Sequence, residues 1–306
     1  MTSLVLPKSG PSFGEDAVFS SWLEQRPDPL FVTDPAGVIE YANPAFEALT
    51  GFMRGEAVGC KPSILKSGRQ DEEFYRGLWR SLLAGQPFRA VFVNRRKSGE
   101  LFHAENVIWP VFNGHGRIAR FVCETRDVTE RLCERERLAH AATHDPLTDL
   151  PNRTLFLDRL TLALRHAARR AEGLAVAILD IDRFRDANTR HGHLAGDALL
   201  QAVARRIASC VRETDTVARI GGDEFGLILP DAGDRAVAVF EKVRSTNEVP
   251  ISYEDGLIRM SVSIGAAVYP RDATDSEALR KHADSAMYAA KRAGGNCIRF
   301  YRARVP

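Results

Sequence analysis

The sequence has no pair of cysteines spaced to grip a metal or frame a small fold. Cys60, Cys123, Cys133, Cys210 and Cys297 lie far apart with no CxxC, which excludes a zinc ribbon and a disulfide scaffold and reads as the reduced thiols of a cytoplasmic protein. Long apolar runs are missing too. A membrane helix needs ~18–20 such residues, whereas the most hydrophobic stretch, 174–179, is stopped by Asp180. The opening MTSLVLPKSG is too short in its apolar part for a secretory signal. Nor is there an excess of one charge: 42 basic residues face 40 acidic ones, net +2. That balance excludes a protein that coats nucleic acid through a concentrated positive field, but leaves room for a nucleotide site needing only a few local charges. What is present, 306 residues with 44% hydrophobic and 27% charged, suffices for two globular domains.

Residues 1–18 carry Pro, Gly and Ser without periodicity and are expected to form a loose leader. Two strands around 30–41 flank the turn Asp34-Pro35-Ala36-Gly37, and short helical pieces follow near 44–49. Over 71–83, Tyr75, Leu78, Trp79, Leu82 and Leu83 recur at helical spacing and predict one apolar face. From 88 to 128, strands rich in Val, Ile and Phe are separated by turns at Lys97-Ser98-Gly99 and Asn113-Gly114-His115-Gly116. Asp127-Val128-Thr129-Glu130 has the form of a capping box and opens a highly charged helix over 130–142. Its apolar stripe (Leu132, Leu138, Ala139, Ala142) is thin, so it is either a solvated linker or half of a short coiled coil.

Beyond 143 strands and helices alternate in an α+β pattern. Helices are expected at 155–170, 197–211, 235–244 and 275–292, and strands at 174–181, 217–220, 225–229 and 258–269. The strand over 174–181 runs apolar into Asp180-Ile181-Asp182. A buried strand ending in acids delivers them to a site at the sheet edge, and a carboxylate beside a carbonyl oxygen suits Mg²⁺; alternatively Asp180 caps the next helix. In Arg219-Ile220-Gly221-Gly222-Asp223-Glu224-Phe225, the glycines are expected to allow positive φ in a tight hairpin and to leave space for phosphates. Alone this could be an ordinary acidic turn; beside the strand ending at Asp180 it predicts a divalent-metal constellation.

RIGGDEFGLIL resembles the signature of the GGDEF family of diguanylate cyclases. HDPLTDLPNR, LDIDRFRDANTRHGHLAGD, SVSIGAAVYP and ADSAMYAAKRAGGN extend the resemblance over about 143–300. It implies a polymerase-palm-like sheet that condenses two GTP into cyclic di-GMP and releases two pyrophosphates. Position by position, it implies Mg²⁺ (or Mn²⁺) held by Asp180, Asp223 and the Ile181 carbonyl. Asp223 and Glu224 are then the catalytic acids, with Glu224 supporting the metal or deprotonating the attacking 3′-hydroxyl. Asn188 and Asp197 match the guanine-holding residues, since a carboxylate accepts both N1–H and the exocyclic amine of guanine. Asp197 could equally cap the helix expected to start there. Arg185 (where the family usually has Lys), Lys291, Gly221 and Gly222 belong to the substrate-binding set. Arg212 and Asp215, an RxxD beginning nine residues before Gly221, match an inhibitory site for the product. Thr189 and His191 depart mildly from the pattern. A sharper departure is Gly295, where the family has a phosphate-binding Arg; it speaks for a rival reading, a weak enzyme acting as a GTP or cyclic di-GMP receptor.

DPLFVTDPAGVIEYANPAFEALTGF, NRRKSGELFHAENVIWPVFNGHG and ETRDVTE resemble a PAS sensor domain over 19–129, an antiparallel sheet with short helices. PSILKSG, FYRGLW and VNRRK are most similar to the flavin-binding PAS group, which implies FAD near Trp79 and Asn94; core packing for Trp79 and a sheet hydrogen bond for Asn94 are the alternative. The helix over 71–83 has no His for haem, and Cys60 falls two residues before the place a photoactive cysteine would occupy, filled here by Pro62. The expected whole is a 1–18 leader, a PAS sensor (19–129), a signalling helix (130–142) and a catalytic domain (143–306). Because each palm holds one GTP, the chemistry implies a homodimer.

Overall fold

In the computed structural model, residues 21, 23–231, 235–254 and 256–302 are described; the expected leader lies outside them. The chain divides into two compact units, Met1–Glu136 and Arg137–Pro306, each with its own sheet.

The first unit is an antiparallel five-stranded sheet in the order β2-β1-β5-β4-β3. Its strands are β1 (Leu30–Thr33), β2 (Ile39–Ala42), β3 (Phe88–Arg95), β4 (Leu101–Phe112) and β5 (Ile118–Asp127). Between β2 and β3 lie α1 (Pro44–Thr50), α2 (Arg54–Ala57), a 3₁₀ turn (Pro62–Leu65) and α3 (Glu72–Leu83). Local chemistry sets these ends. Asn43 caps α1 through Oδ1 to Phe46 N–H, and Gly51 closes that helix at φ 75°. Asp71 caps α3 by accepting from Phe74 N–H. Leu78 and Leu82 of α3 are buried as the spacing predicts, but Leu83 is 66% and Trp79 39% exposed. The apolar face is thus narrower than expected, because Trp79 lines a cavity instead of the core.

Asp127 accepts from Thr129 N–H at the start of α4 (Thr129–Thr143), which buries none of its residues.

The second unit holds a five-stranded sheet, order β12-β11-β6-β8-β7. Its elements are α5 (Arg153–Arg170), β6 (Leu174–Ile181), α6 (Phe184–His191), α7 (His193–Cys210), β7 (Thr216–Arg219), β8 (Glu224–Pro230), α8 (Arg235–Glu248), β9 (Ile251–Tyr253), β10 (Gly256–Ile258), β11 (Val262–Tyr269), α9 (Ser276–Arg292) and β12 (Ile298–Phe300). Every residue of the central β6 is buried, as a strand covered on both faces requires. One core cluster sets Leu199, Val203 and Ile207 of α7 against Leu179, Phe225 and Leu227. The other sets Phe156 and Leu160 of α5 and Met287 of α9 against Ile178 and Ile228. At Gly265 an added Cβ would fall 1.8 Å from Met287 N and 2.2 Å from Ala283 O, so α9 rests backbone-to-backbone on β11.

Two boundaries differ from expectation. The single strand expected over 258–269 is two: β10 pairs with β9 in a separate hairpin, while β11 pairs with β6. And α7 begins at His193, with Gly192 (φ 84°) as its cap residue, so Asp197 sits inside the helix and does not cap it.

Candidate functional site

β6 and β8 run antiparallel with Asp180 opposite Glu224, and β11 lies on the other side with Ser263 opposite Asp180. The two acidic motifs, 44 positions apart in sequence terms only, therefore meet at one sheet end because the strand register demands it. Ile181 N–H donates to Asp223 O at 3.2 Å, locking the hairpin tip onto the strand end.

Asp180 is 5% exposed. Burial, then the neighbouring Asp223 and Glu224 charges, push its carboxyl up from 3.8 to about 6, against the opposing pull of Lys291. Lys291 Nζ stands 2.5 Å from Asp180 Oδ1, yet that oxygen takes no hydrogen bond: the contact is an ion pair outside hydrogen-bond geometry. A buried carboxylate oxygen with unused acceptor capacity fits a hard cation. Among the described residues no three His, Cys, Asp or Glu side chains form a group that could hold a metal by themselves.

The turn itself is not built as expected. Neither Gly221 nor Gly222 has positive φ. A Cβ at 221 would instead crowd the Glu224 side chain, 2.7 Å from its Oε2; at 222 a Cβ would meet nothing within 4 Å. The tip is braced by a residue that motif reading passed over. Arg219 donates to Gly222 O (2.7 and 3.1 Å) and to both Asp145 oxygens (3.0 and 3.1 Å). Burial raises the Asp145 carboxyl, but Thr148 and Arg219 together outweigh it and hold the group below its usual value. Asp145 comes from the HDPLTDLPNR segment, so that motif supports the turn from 74 residues away.

Asn188 on α6 and Asp197 on α7 come from two adjoining helices. The Asn188 side chain lies against Gly196, whose Cβ would fall 1.8 Å from Asn188 Oδ1, and that Oδ1 is buried without a partner. Asp197 is exposed beside it, and Arg185 is exposed on α6. Gly295 follows α9 with φ 79°, and its Cβ would sit 2.9 Å from Asp182 Oδ1, so a glycine suits both the backbone and the space there.

Arg212 and Asp215 form a turn in which Arg212 N–H donates to Asp215 Oδ2 (2.9 Å). The Asp215 side chain is fully buried and engaged bidentately by Arg235 at 3.0 and 3.1 Å, whereas Arg212 is exposed.

Residues 142–297 match the family described as diguanylate cyclase, GGDEF domain. This chain belongs to the GGDEF family. A second match, to the PAS fold, covers residues 19–128. Among curated relatives, the diguanylate cyclase TpbB of Pseudomonas aeruginosa (strain UCBPP-PA14) is 46% identical over 162 residues, 52% of this chain and 37% of that protein. The cyclic di-GMP phosphodiesterase PdeR of Escherichia coli K12 is 31% identical over 297 residues, 93% of this chain and 42% of that protein. The chain thus spans well under half the length of these relatives. Among solved structures, the isolated GGDEF domain of P. aeruginosa TpbB superposes with TM-score 0.51 at 43% identity, covering 52% of this chain and 94% of that one. The coiled coil and GGDEF domain of DgcB from Caulobacter crescentus, in complex with c-di-GMP, gives 0.52 at 31% identity, covering 56% and 92%.

Ahead of the GGDEF domain, the PAS-like unit encloses a cavity of about 300 Å³, at the small end of ligand pockets. Trp79 and Asn94 both line it, together with Asn106, Phe92 and Phe121. Trp79 meets Phe121 edge to face at 5.8 Å. Asn106 Oδ1 is buried with no partner, an acceptor aimed at nothing the protein supplies. Its position on a strand reading as plain sheet gave no sequence signal. Cys123 also lines the cavity; burial pushes its thiol up to about 12, so it stays protonated and inert. Among the described residues no helix is long and apolar enough to cross a membrane.

Proposed function

We propose that this protein is a sensor-regulated diguanylate cyclase that condenses two GTP into cyclic di-GMP and two pyrophosphates. The observation that carries the reading is the buried Asp180 carboxylate, facing Glu224 across the β6–β8 register with Lys291 Nζ against its Oδ1. Asp180, Asp223 and the Ile181 carbonyl would hold Mg²⁺ (or Mn²⁺), which when bound neutralises charge on the phosphates and aligns an in-line attack. Lys291, paired here with Asp180, would exchange that partner for the triphosphate, while Glu224 would orient or accept the proton of the attacking 3′-hydroxyl. Arg185 adds positive charge at the same end. Asn188 and Asp197 present an acceptor set that guanine satisfies and adenine does not. Gly221 and Gly222 keep the tip bare for the phosphates.

The two attacks need two such sites face to face, so the working form is a homodimer. The exposed α4, whose apolar stripe is unburied, is its natural organiser, and the 19–129 sensor would act on the 143–306 catalytic domain through it by shifting the balance between helix arrangements. Product would brake the enzyme at Arg212, with Asp215 shaping that turn. The pocket around Trp79, Asn94 and Asn106 suits the flat, amide-edged ring of FAD: aromatic faces pack the ring and the two Asn side chains meet its polar edge. The balanced charge and scattered thiols are those of a cytoplasmic protein.

Incubating purified protein with GTP and Mg²⁺ and separating the nucleotides by chromatography tests the reading. Cyclic di-GMP is expected. GTP binding without any cyclic di-GMP, in oxidising and reducing buffer alike, would instead establish the receptor function that Gly295 favours.

A further inference from the structure

Asp182, two residues past Asp180 on the same strand end, is left unused by the chemistry above, yet its carboxylate is among the most heavily bonded in the catalytic unit. It accepts from Ser261 Oγ and Ser263 Oγ, each at 2.6 Å, and from Asn296 N–H at 2.8 Å. Its own N–H donates to Ser261 O at 2.9 Å. These bonds join three separate pieces: the end of β6, the start of β11, and the loop between α9 and β12. Residue 295 lies against the same carboxylate: a Cβ there would sit 2.9–3.0 Å from the Asp182 carboxyl atoms. Beyond it, Asn296 (φ 48°) donates from Nδ2 to Glu248 Oε1 at 2.6 Å and accepts from Arg244 Nη1 at 3.1 Å, pinning the loop to α8 as well. The loop is the continuation of the last turn of α9, which carries Lys291.

We propose that Asp182 is a positioning residue for the triphosphate end of the site, clamping the Gly295–Asn296 backbone so that Lys291 is held over Asp180. The clamp rests on the cyclase reading for its substrate. The loop has no side chain at 295 to offer the phosphates and is anchored at Asp182 by a charge-assisted bond, so that phosphate affinity leans on a preorganised Lys291.

The test is a double-mutant cycle in the full-length chain, read as KM and kcat for GTP with Mg²⁺, as equilibrium affinity for Mg²⁺–GTP, and as Tm. Asp182→Asn keeps the shape but weakens three hydrogen bonds to a charged acceptor. It should raise KM and Kd about tenfold, the scale of one charged hydrogen bond, with kcat changed less. In Lys291→Ala, adding Asp182→Asn should change neither KM nor Kd beyond about twofold, because the lysine through which it acts is gone. Unchanged GTP affinity in a folded Asp182→Asn protein, or fold-changes that simply multiply in the double variant, would overturn the proposal. If Asp182→Asn does not fold, the same cycle with Ser261→Ala, which removes one of the three donors to the Asp182 carboxylate, decides by the same criteria. Should the wild type bind GTP but make no cyclic di-GMP, the cyclase reading fails while the affinity arm still decides the clamp.

Discussion

Asp180 gives the sharpest consequence of the site's electrostatics: removing its charge should stabilise the metal-free protein while abolishing catalysis. The native carboxyl is raised from 3.8 to about 6, chiefly by burial. A folded-state value above the unfolded one means that folding favours the protonated form. The associated stability is fully present below about pH 4, and is lost as pH rises through 6. A rise of roughly two pH units corresponds to about 3 kcal/mol at pH 8, already net of the attraction to Lys291. Asp180→Asn keeps the volume and removes the charge. Lys291 remains 35% exposed at its side chain and keeps its water, so the variant should gain about 2 kcal/mol, or about 4–8 °C in Tm for a domain of this size. Thermal melts in EDTA at pH 4.5 and pH 8 read this directly. The variant should melt higher than the wild type at pH 8 and with it at pH 4.5, and should lose the stabilisation by Mg²⁺–GTP that the wild type shows. A variant less stable than the wild type at pH 8, or a difference that ignores pH, would refute the reasoning.

Other consequences follow from packing and pairing. Gly265→Ala forces a methyl into the backbone of α9, where no side chain can rotate away, and should cost about 3 kcal/mol or more in denaturant melts. Asp215→Asn leaves the Arg235 guanidinium without its buried partner and should cost about 3 kcal/mol; Arg212→Ala, at an exposed position, should leave stability unchanged but raise the cyclic di-GMP concentration needed for inhibition at least tenfold. Melts and inhibition curves on the pair separate the structural role from the binding one. The purified protein should be yellow, and Asn106→Leu should lose the colour while keeping its far-ultraviolet circular dichroism.

Periodicity made the order of elements readable. Asp71, Asn152 and Asp275 cap helices by local hydrogen bonds, and the all-apolar run into Asp180 announced a central strand. The misreadings have two causes: local backbone and side-chain geometry that residue types do not announce, and contacts between segments remote in sequence. The glycine pair looked like a φ requirement, but neither has positive φ and Gly221 lies against the Glu224 side chain. A cap stood as an alternative role for Asp197 because nothing local shows that Gly192, five residues earlier, opens α7. The partners of Arg219, Asp182 and Arg235 (Asp145, Asn296 and Asp215) show only once the fold brings them together. Trp79 falls on the apolar stripe of α3 by spacing, but it lines a cavity together with Phe92, Asn94 and Asn106 of the sheet.

The central claim, condensation of two GTP at a site built on Asp180 and Asp223, is tested most directly by reaction stoichiometry. Mass spectrometry and a pyrophosphate assay on one incubation with GTP and Mg²⁺ should find two pyrophosphates for each cyclic di-GMP, with both products absent for Asp223→Asn. Pyrophosphate without cyclic di-GMP, or equal turnover by Asp223→Asn, would contradict it.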